Sequence, residues 1–304
     1  MLRDRPKVSI IVLNLNGFDD TRECLYSLQQ INYGNFEIVV VDNGSTDGSE
    51  KKLRKEFPQL TILQSGVNLG YTGGNNIGIK YALKHEADHL FILNNDTLVD
   101  HNFLGYLVET EQKFKGKVIV SPLVFYQDYQ GQKDRVWAAG GKFSWARGRA
   151  RHLFEGEIYS GKRILRPDYL VGCGLLIPRE VFEVAGFLDE RLFFSFEDIE
   201  FSFRAKRFGF SCVVDTKALI WHKVSATAGY LSQFSIYLQT RNRIIFMKEH
   251  TFFIHYLLFL LYFLVYEQFY LILYFFYKRR PNLIKVFYRG LWDGMVGKTG
   301  GFSN

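Results

Sequence analysis

The chain has 304 residues, 47% hydrophobic and 23% charged, enough apolar material for one large core or two modest ones, which excludes disorder as its default state. A net charge of +7 and a pI near 9.1 suit an anionic partner, whether nucleic acid, nucleotide or membrane surface. Cys24, Cys173 and Cys212 are odd in number and lack CxxC spacing, which argues against a disulfide framework or a zinc site and for a reducing, cytosolic setting.

The first apolar run, Val8 to Leu13, is six residues long and ends in Asn14, too short for the hydrophobic region of a secretory signal. Similar runs follow at Phe36 to Asp42, Leu60 to Ser65, His89 to Asn94 and Lys117 to Ser121. All are short, β-branched and nearly continuous, as strands buried on both faces are. Helical patterns separate them over Asp19 to Gln30, Ser49 to Phe57, Asn75 to His85 and Asp100 to Phe114, the second behind a capping box of Asp47 and Glu50. This alternation predicts a mainly parallel α/β sheet.

In such a sheet, ligands collect beyond the carboxyl ends of the strands. Those ends carry Asn14 and Asn16, then Asp42 and Asn43 in "DNGSTDGS", then Asn68 and Asn75 in "GVNLGYTGGNN", then Asn94, Asn95 and Asp96. Singly, each is an ordinary turn; four on one edge make a site.

Residues 122–168 are looser, with seven basic residues (Lys142, Arg147, Arg149, Arg151, Lys162, Arg163, Arg166) against Glu155 and Glu157 between Lys142 and Arg166. They read as a solvated hairpin or as a flap that steers a polyanion. Regular structure resumes at Tyr169 to Pro178 and in a short helix from Arg179 to Ala185. Phe196, Ile199 and Phe203 then recur at helical spacing, Gly209 supplies a stop, and Arg204, Lys206 and Arg207 suit a helix C-terminus. Glu197 and Asp198 therefore occupy a first turn. Acids there are common caps, but capping needs one, and the surrounding phenylalanines predict a desolvated pocket where a carboxylate is a stronger base. His222 ends the strand-like "SCVVDTKALIWH"; it is a packed histidine or, with an acid facing the same pocket, a metal ligand.

In order and spacing, "VSIIVLNLNG", "VVVDNGSTDGS", "NLGYTGGNNIGI", "LFILNNDTLV", "GCGLLIPREVFEVAGFLDERLFFSFEDIEFSFRAKRFGF" and "WHKVSATAG" resemble glycosyltransferase family 2. The likeness spans residues 7–250 and is strongest to bacterial rhamnosyltransferase-like members that extend cell-surface polysaccharides. It implies a GT-A fold, that is, a Rossmann-like, mainly parallel sheet with helices on both faces. It also implies a dTDP- or UDP-linked nucleotide-sugar donor, a divalent metal (Mg²⁺ or Mn²⁺) and an inverting mechanism. By resemblance, Asn14, Asn16, Asp42 and Asn43 lie around the donor's base and ribose, with Asn68 and Asn75 lining the same pocket. "NND" at Asn94 to Asp96 stands where the family often has D-x-D. Its first acid is here an amide, so Asn94 and Asn95 face the donor while Asp96 binds the metal, with His222 as second ligand. Asp198 is then the general base and Glu197 orients the acceptor. A glycosidase would need two carboxylates flanking the bond and no nucleotide pocket.

The physical reason for polar groups at these strand tips is charge. A donor diphosphate carries about two to three negative charges into a low-dielectric cleft, where unpaired charge is very costly. A divalent cation on a carboxylate offsets it.

From Thr251 to Tyr277 run 27 residues that are apolar and aromatic, interrupted by His255, Glu267 and Gln268. As a helix this reaches ~40 Å, enough to cross the ~30 Å hydrocarbon layer. Glu267 and Gln268 would then lie deep in lipid, and basic residues flank both ends: Arg241, Arg243 and Lys248 before, Lys278, Arg279 and Arg280 after. Tyr262, Tyr266, Tyr270 and Tyr274 form a stripe that suits a helix at headgroup level, or one packed on the protein body. The expectation is a catalytic domain over 1–250 and a membrane-associating segment with a basic tail over 251–304, at the cytoplasmic face of the cell membrane. Self-association would be the other way to cover such a surface.

The function expected is transfer of a sugar, rhamnose among the candidates, to a lipid-linked or growing surface glycan. The alternative is a non-catalytic nucleotide-sugar-binding scaffold of a polysaccharide assembly complex. Nucleic acid is not an expected partner, because no binding motif or aromatic platform accompanies the basic charge.

Overall fold

The computed structural model describes residues 5–224 and 231–302. The 225–229 part of the "WHKVSATAG" motif lies outside them. The chain begins with β1 (Val8–Asn14), α1 (Phe18–Leu28), β2 (Phe36–Asp42), α2 (Ser49–Glu56), β3 (Thr61–Gln64), α3 (Gly70–Lys84) and β4 (His89–Asn94). A short β5 (Thr97–Val99), α4 (Phe103–Lys113) and β6 (Val118–Tyr126) follow. The looser middle contains β7 (Val136–Ala138), a hairpin of β8 (Gly141–Ser144) and β9 (Arg149–His152), and β10 (Ile164–Leu165). Then come β11 (Gly174–Pro178), α5 (Arg179–Ala185), α6 (Glu197–Arg207), β12 (Ser211–His222) and α7 (Gln233–His250).

The main sheet has the order β10-β12-β6-β11-β4-β1-β2-β3, with β5 paired to β12 and β7 to β6. β1, β2, β3, β4, β6 and β12 run in one direction, whereas β11 is inserted against its neighbours. The carboxyl ends of the parallel strands, and with them the start of β11, therefore meet along one edge. Alternation along β1 sends Val8, Ile10 and Val12 into the cluster containing Leu25, Leu53 and Phe103, and Ile11 into the opposite cluster with Ile79, Phe182 and Phe201. Both faces of the sheet are covered, which is why the strands read as unbroken apolar runs.

Three local expectations change. α3 starts five residues before Asn75, because Asn68 Oδ1 accepts from Gly70 N at 2.9 Å and so turns the chain into the helix early. Its glycines are packing devices: a Cβ on Gly78 would stand 2.5 Å from Ile11 Cγ2, and one on Gly74 2.5 Å from Leu13 Cδ1. The capping box before α2 is not reciprocal. Asp47 Oδ1 accepts from Ser49 N at 2.9 Å, while Glu50 turns forward to Arg54 and Gln64. Finally, β6 continues through Pro122 to Tyr126; a bulge in β12 between Asp215 and Leu219 accommodates the missing N–H.

The C-terminal part is a continuous 25-residue helix, Phe253–Tyr277, long and apolar enough by length and composition to cross a bilayer. It divides into α8 (Phe253–Tyr262), a π-helical turn (Phe263–Glu267) and α9 (Gln268–Tyr277), and is followed by α10 (Asn282–Val296). Phe259, Phe263 and Phe275 are buried and join the same cluster as β1 and α1. Glu267 is 2% exposed. It accepts from Arg149 Nη2 of β9 at 2.9 Å and from Arg243 Nη2 of α7 at 2.6 Å. The acid that looked foreign to an apolar helix thus faces the sheet domain. The opposite face exposes Leu257, Leu261, Val265, Phe269, Leu273 and Phe276, with Tyr266 and Tyr270 also exposed.

Candidate active site

Pairing of β5 with the end of β12 sets the first half of the site. His222 lies opposite Thr97, and Lys223 N donates to Asp96 O at 2.9 Å. The turn Asn94–Asp96 is thereby folded onto the tip of β12. Asp96 Oδ1 and His222 Nε2 stand 3.0 Å apart, at 8% and 7% exposure. Lys223 beside them is neutralised by Asp20 at 2.7 Å and Glu23 at 2.9 Å, both from α1. His222 Nδ1 is buried with no hydrogen-bond partner among the described residues.

The second half comes from α6 and β11. Asn94 N donates to Cys173 O at 3.2 Å, bringing "GCG" to the tip of β4. Gly172 N then donates to Asp198 Oδ2 at 3.0 Å, and Ile199 N to Asp198 Oδ1 at 2.8 Å. Tyr71 Oη bonds Gly172 O at 2.5 Å from the α3 side. Burial pushes the Asp198 carboxyl up, and the two backbone donors pull it back by favouring the charged form. Glu197, 7% exposed, is pushed up to about 8 by burial and by the charge of Asp198, and its Oε2 has no partner. The Cys173 thiol and the Tyr71 phenol are raised first by burial and further by the charges of both Asp96 and Asp198. The two halves therefore share one electrostatic environment.

The remaining candidates also lie along this edge, but several are turned toward one another. Asn14 Nδ2 donates to Asp42 Oδ2 at 2.8 Å and its Oδ1 accepts from Thr21 at 2.8 Å. Asp42 Oδ1 accepts from Ser45 N at 3.0 Å and Gln64 Nε2 at 3.1 Å. Asn43, also buried, holds Asn68 Oδ1 at 3.2 Å and Gly70 O at 3.0 Å. Asn16 Oδ1 accepts from Thr46 N at 2.8 Å, and Asn95 Nδ2 donates to Thr21 at 2.9 Å. Asn75 donates to Tyr71 O at 2.9 Å, leaving its Oδ1 buried without a partner. Asn94 is half-buried at the strand tip. Two surface hollows, one at Tyr33 and Tyr106 and one at Glu190 and Arg204, are lined by none of these residues.

Sequence reasoning missed the residues that brace the approach to Asp198. Phe193, Ser195 and Phe196, which lead into α6, have φ of 63°, 72° and 73°. Such backbone costs about 1–3 kcal/mol per residue and persists only when its surroundings over-determine it. Asn242 of α7 does so: its Nδ2 lies 2.8, 2.9 and 2.7 Å from the carbonyls of Leu192, Phe194 and Ser195. Arg241 adds Arg191 O at 3.1 Å and Leu192 O at 3.2 Å. The Arg-Asn-Arg run in the middle of α7, polar groups that need partners once buried, was the available signal. The basic stretch is also partly spent on structure. Lys142 pairs with Asp168, Arg163 with Asp215 and Arg149 with Glu267.

Comparison with known proteins agrees with this architecture. Residues 9–183 match the model for "Glycosyl transferase family 2". The hexosyltransferase Agl10 of low-salt glycan biosynthesis in Haloferax volcanii is 30% identical over 245 residues, 78% of this chain and 74% of that protein. The N-acetylglucosaminyl-diphospho-decaprenol L-rhamnosyltransferase of Mycobacterium tuberculosis is 25% identical over 62% of this chain and 67% of its own. Among solved structures, a mannosyltransferase from Pyrobaculum calidifontis in complex with GDP-Man and Mn²⁺ superposes with a TM-score of 0.62 at 15% identity, over 96% of this chain and 87% of that one. GalNAc-T7 with UDP, GalNAc and Mn²⁺ gives 0.66 at 18% identity over 81% of this chain, which spans 48% of that enzyme. Matched by the family model over more than half its length and built on the GT-A frame, the chain belongs to glycosyl transferase family 2.

Proposed function

We propose that this chain is an inverting hexosyltransferase that moves a sugar, with rhamnose the first candidate, from a dTDP- or UDP-linked donor to a hydroxyl of a lipid-linked or growing surface glycan. The observation that carries the reading is the convergence of the Asp96–His222 pair and Asp198 on one edge of the sheet. The named activities of the Haloferax and Mycobacterium relatives support hexosyl transfer and a lipid-linked acceptor.

Asp96 and His222 fit a divalent cation as a partial ligand set. One carboxylate oxygen and one imidazole nitrogen, 3.0 Å apart, would suit Mn²⁺ or Mg²⁺ with donor oxygens and water as further ligands. Among the described residues no cluster of three or more such side chains occurs, so the donor's own oxygens are required. When bound, the metal neutralises the diphosphate and stabilises it as a leaving group.

This chain's residues do the rest. Asp198 takes the proton of the acceptor hydroxyl as that oxygen bonds to the anomeric carbon. The bond from that carbon to the diphosphate oxygen breaks, and the nucleoside diphosphate leaves with the electron pair. One base on the face opposite the leaving group inverts the centre. Glu197, whose carboxyl is pushed toward its protonated form by burial and by the charge of Asp198, can in that form donate a hydrogen bond that orients the acceptor. Asn14, Asn16, Asp42, Asn43, Asn68, Asn75, Asn94 and Asn95 shape the donor side.

The exposed apolar face of Phe253–Tyr277, with Lys278, Arg279 and Arg280 behind it, supports attachment of residues 251–304 to the cytoplasmic face of a membrane, with 1–250 as the catalytic unit. A panel of nucleotide sugars with and without Mn²⁺ or Mg²⁺, scored for released nucleotide, tests the function. Metal-dependent turnover of a dTDP- or UDP-sugar is expected. Tight binding with no turnover on any acceptor would favour the scaffold reading instead.

A further inference from the structure

Trp137 belongs to no motif discussed above. On β7 its neighbours Val136 and Ala138 are buried, whereas Trp137 points the other way and stays partly exposed. Its ring is held at the edge of the site by two histidines. His222, the residue paired with Asp96, lies 4.4 Å away between ring centroids at 63°, and His152, the last residue of β9, 4.8 Å away at 72°. A partly exposed apolar ring, packed on one side against the core, thus stands beside His222 at the carboxyl edge. Its exposed part costs apolar hydration until a ligand covers it.

Resting on the donor reading above, we propose that Trp137 is the wall against which the transferred sugar packs its apolar C–H face. A pyranose carries hydroxyls around its rim and C–H bonds on its faces, so an aromatic ring recognises the face while polar side chains take the rim. The placement selects the donor sugar over the acceptor. That sugar is one bond from the diphosphate, and the residue in ring contact with His222 therefore meets it first.

Titration calorimetry of the full chain tests this with matched ligand pairs, dTDP with dTDP-rhamnose and UDP with UDP-glucose, each in Mn²⁺. Trp137→Ala should weaken the sugar nucleotide by about tenfold relative to its bare diphosphate, while Trp137→Phe keeps most of the affinity. If the alanine variant does not fold, Trp137→Leu carries the same expectation. Equal losses for both members of a pair would make Trp137 a prop for His222 and overturn the proposal, as would no loss for either. Failure of the wild-type chain to bind any of the four ligands would sink the donor reading and this proposal with it, whereas wild-type binding with equal variant losses sinks this proposal alone.

Discussion

The two halves of the carboxyl edge are built differently. At the tips of β1 and β2, Asn14, Asp42, Ser45, Thr21 and Gln64 bond to one another, and Asn43 ties down the loop that starts α3. At the tips of β4 and β12 and the start of α6, buried polar atoms lack partners: His222 Nδ1 and Glu197 Oε2. A buried unsatisfied polar atom costs about 1–3 kcal/mol, so natural proteins keep few of them. The strand tips of the first half are tied to one another, although Asn75 Oδ1 behind them on α3 also lacks a partner among the described residues; on the proposed function, the second half is the one a ligand completes. Substitutions in the first should therefore register as lost stability and in the second as lost turnover.

The sharpest test of that division is Asp198→Asn. Transfer should fall by about 10²–10⁴, the usual worth of a general base, with melting temperature and nucleotide affinity nearly unchanged. Retained transfer would remove Asp198 as the base.

Glu197→Gln should show next, in stability against pH. A carboxyl raised in the folded state contributes stability that is complete below its unfolded pKa and is lost as pH rises through the folded value. With an ordinary value of 4.5 and a folded value of about 8, the wild-type chain should lose stability on denaturant titration across that window. The slope approaches ~1.4 kcal/mol per pH unit at most, shared with the adjoining Asp198. The glutamine variant should show a flatter profile. An unchanged profile would mean that Glu197 is not held protonated.

Asn242→Ala should cross the division. It sits outside the cleft yet holds the strained approach to α6, so stability should drop by about 1–3 kcal/mol and kcat by roughly tenfold, with donor affinity spared. A fall in stability alone would make it ordinary core. The smallest effect belongs to Asn14→Ala, about 1–2 kcal/mol measured by urea unfolding, because Asp42 keeps Ser45 and Gln64 and Thr21 keeps Asn95 as partners. A large loss of turnover with full stability would erase the contrast between the two halves.

How far the sequence reveals this depends on whether a signal is local. Strands buried on both faces announce themselves as apolar runs, and the acids after Phe196 are marked by helical spacing and a glycine stop. The early start of α3 is not local: it depends on Asn68 and on how closely Gly74 and Gly78 let the helix approach β1. The passage of β6 through Pro122 depends on a bulge nearly a hundred residues later, in β12. Trp137, His152 and Asn242 are unremarkable in sequence and matter only through what folding sets beside them. Glu267 reversed its meaning, because its arginine partners come from β9 and α7.

That last carboxylate has a mechanical consequence. It is gripped from two separate elements, by half-exposed Arg149 and by buried Arg243, and stripping the buried partner from such a pair costs about 3–5 kcal/mol. Tilting or withdrawing the long C-terminal helix would have to break both grips together. Helix and sheet are thereby coupled, so that on the proposed membrane attachment the surface carrying the helix would set the angle at which the site faces its acceptor.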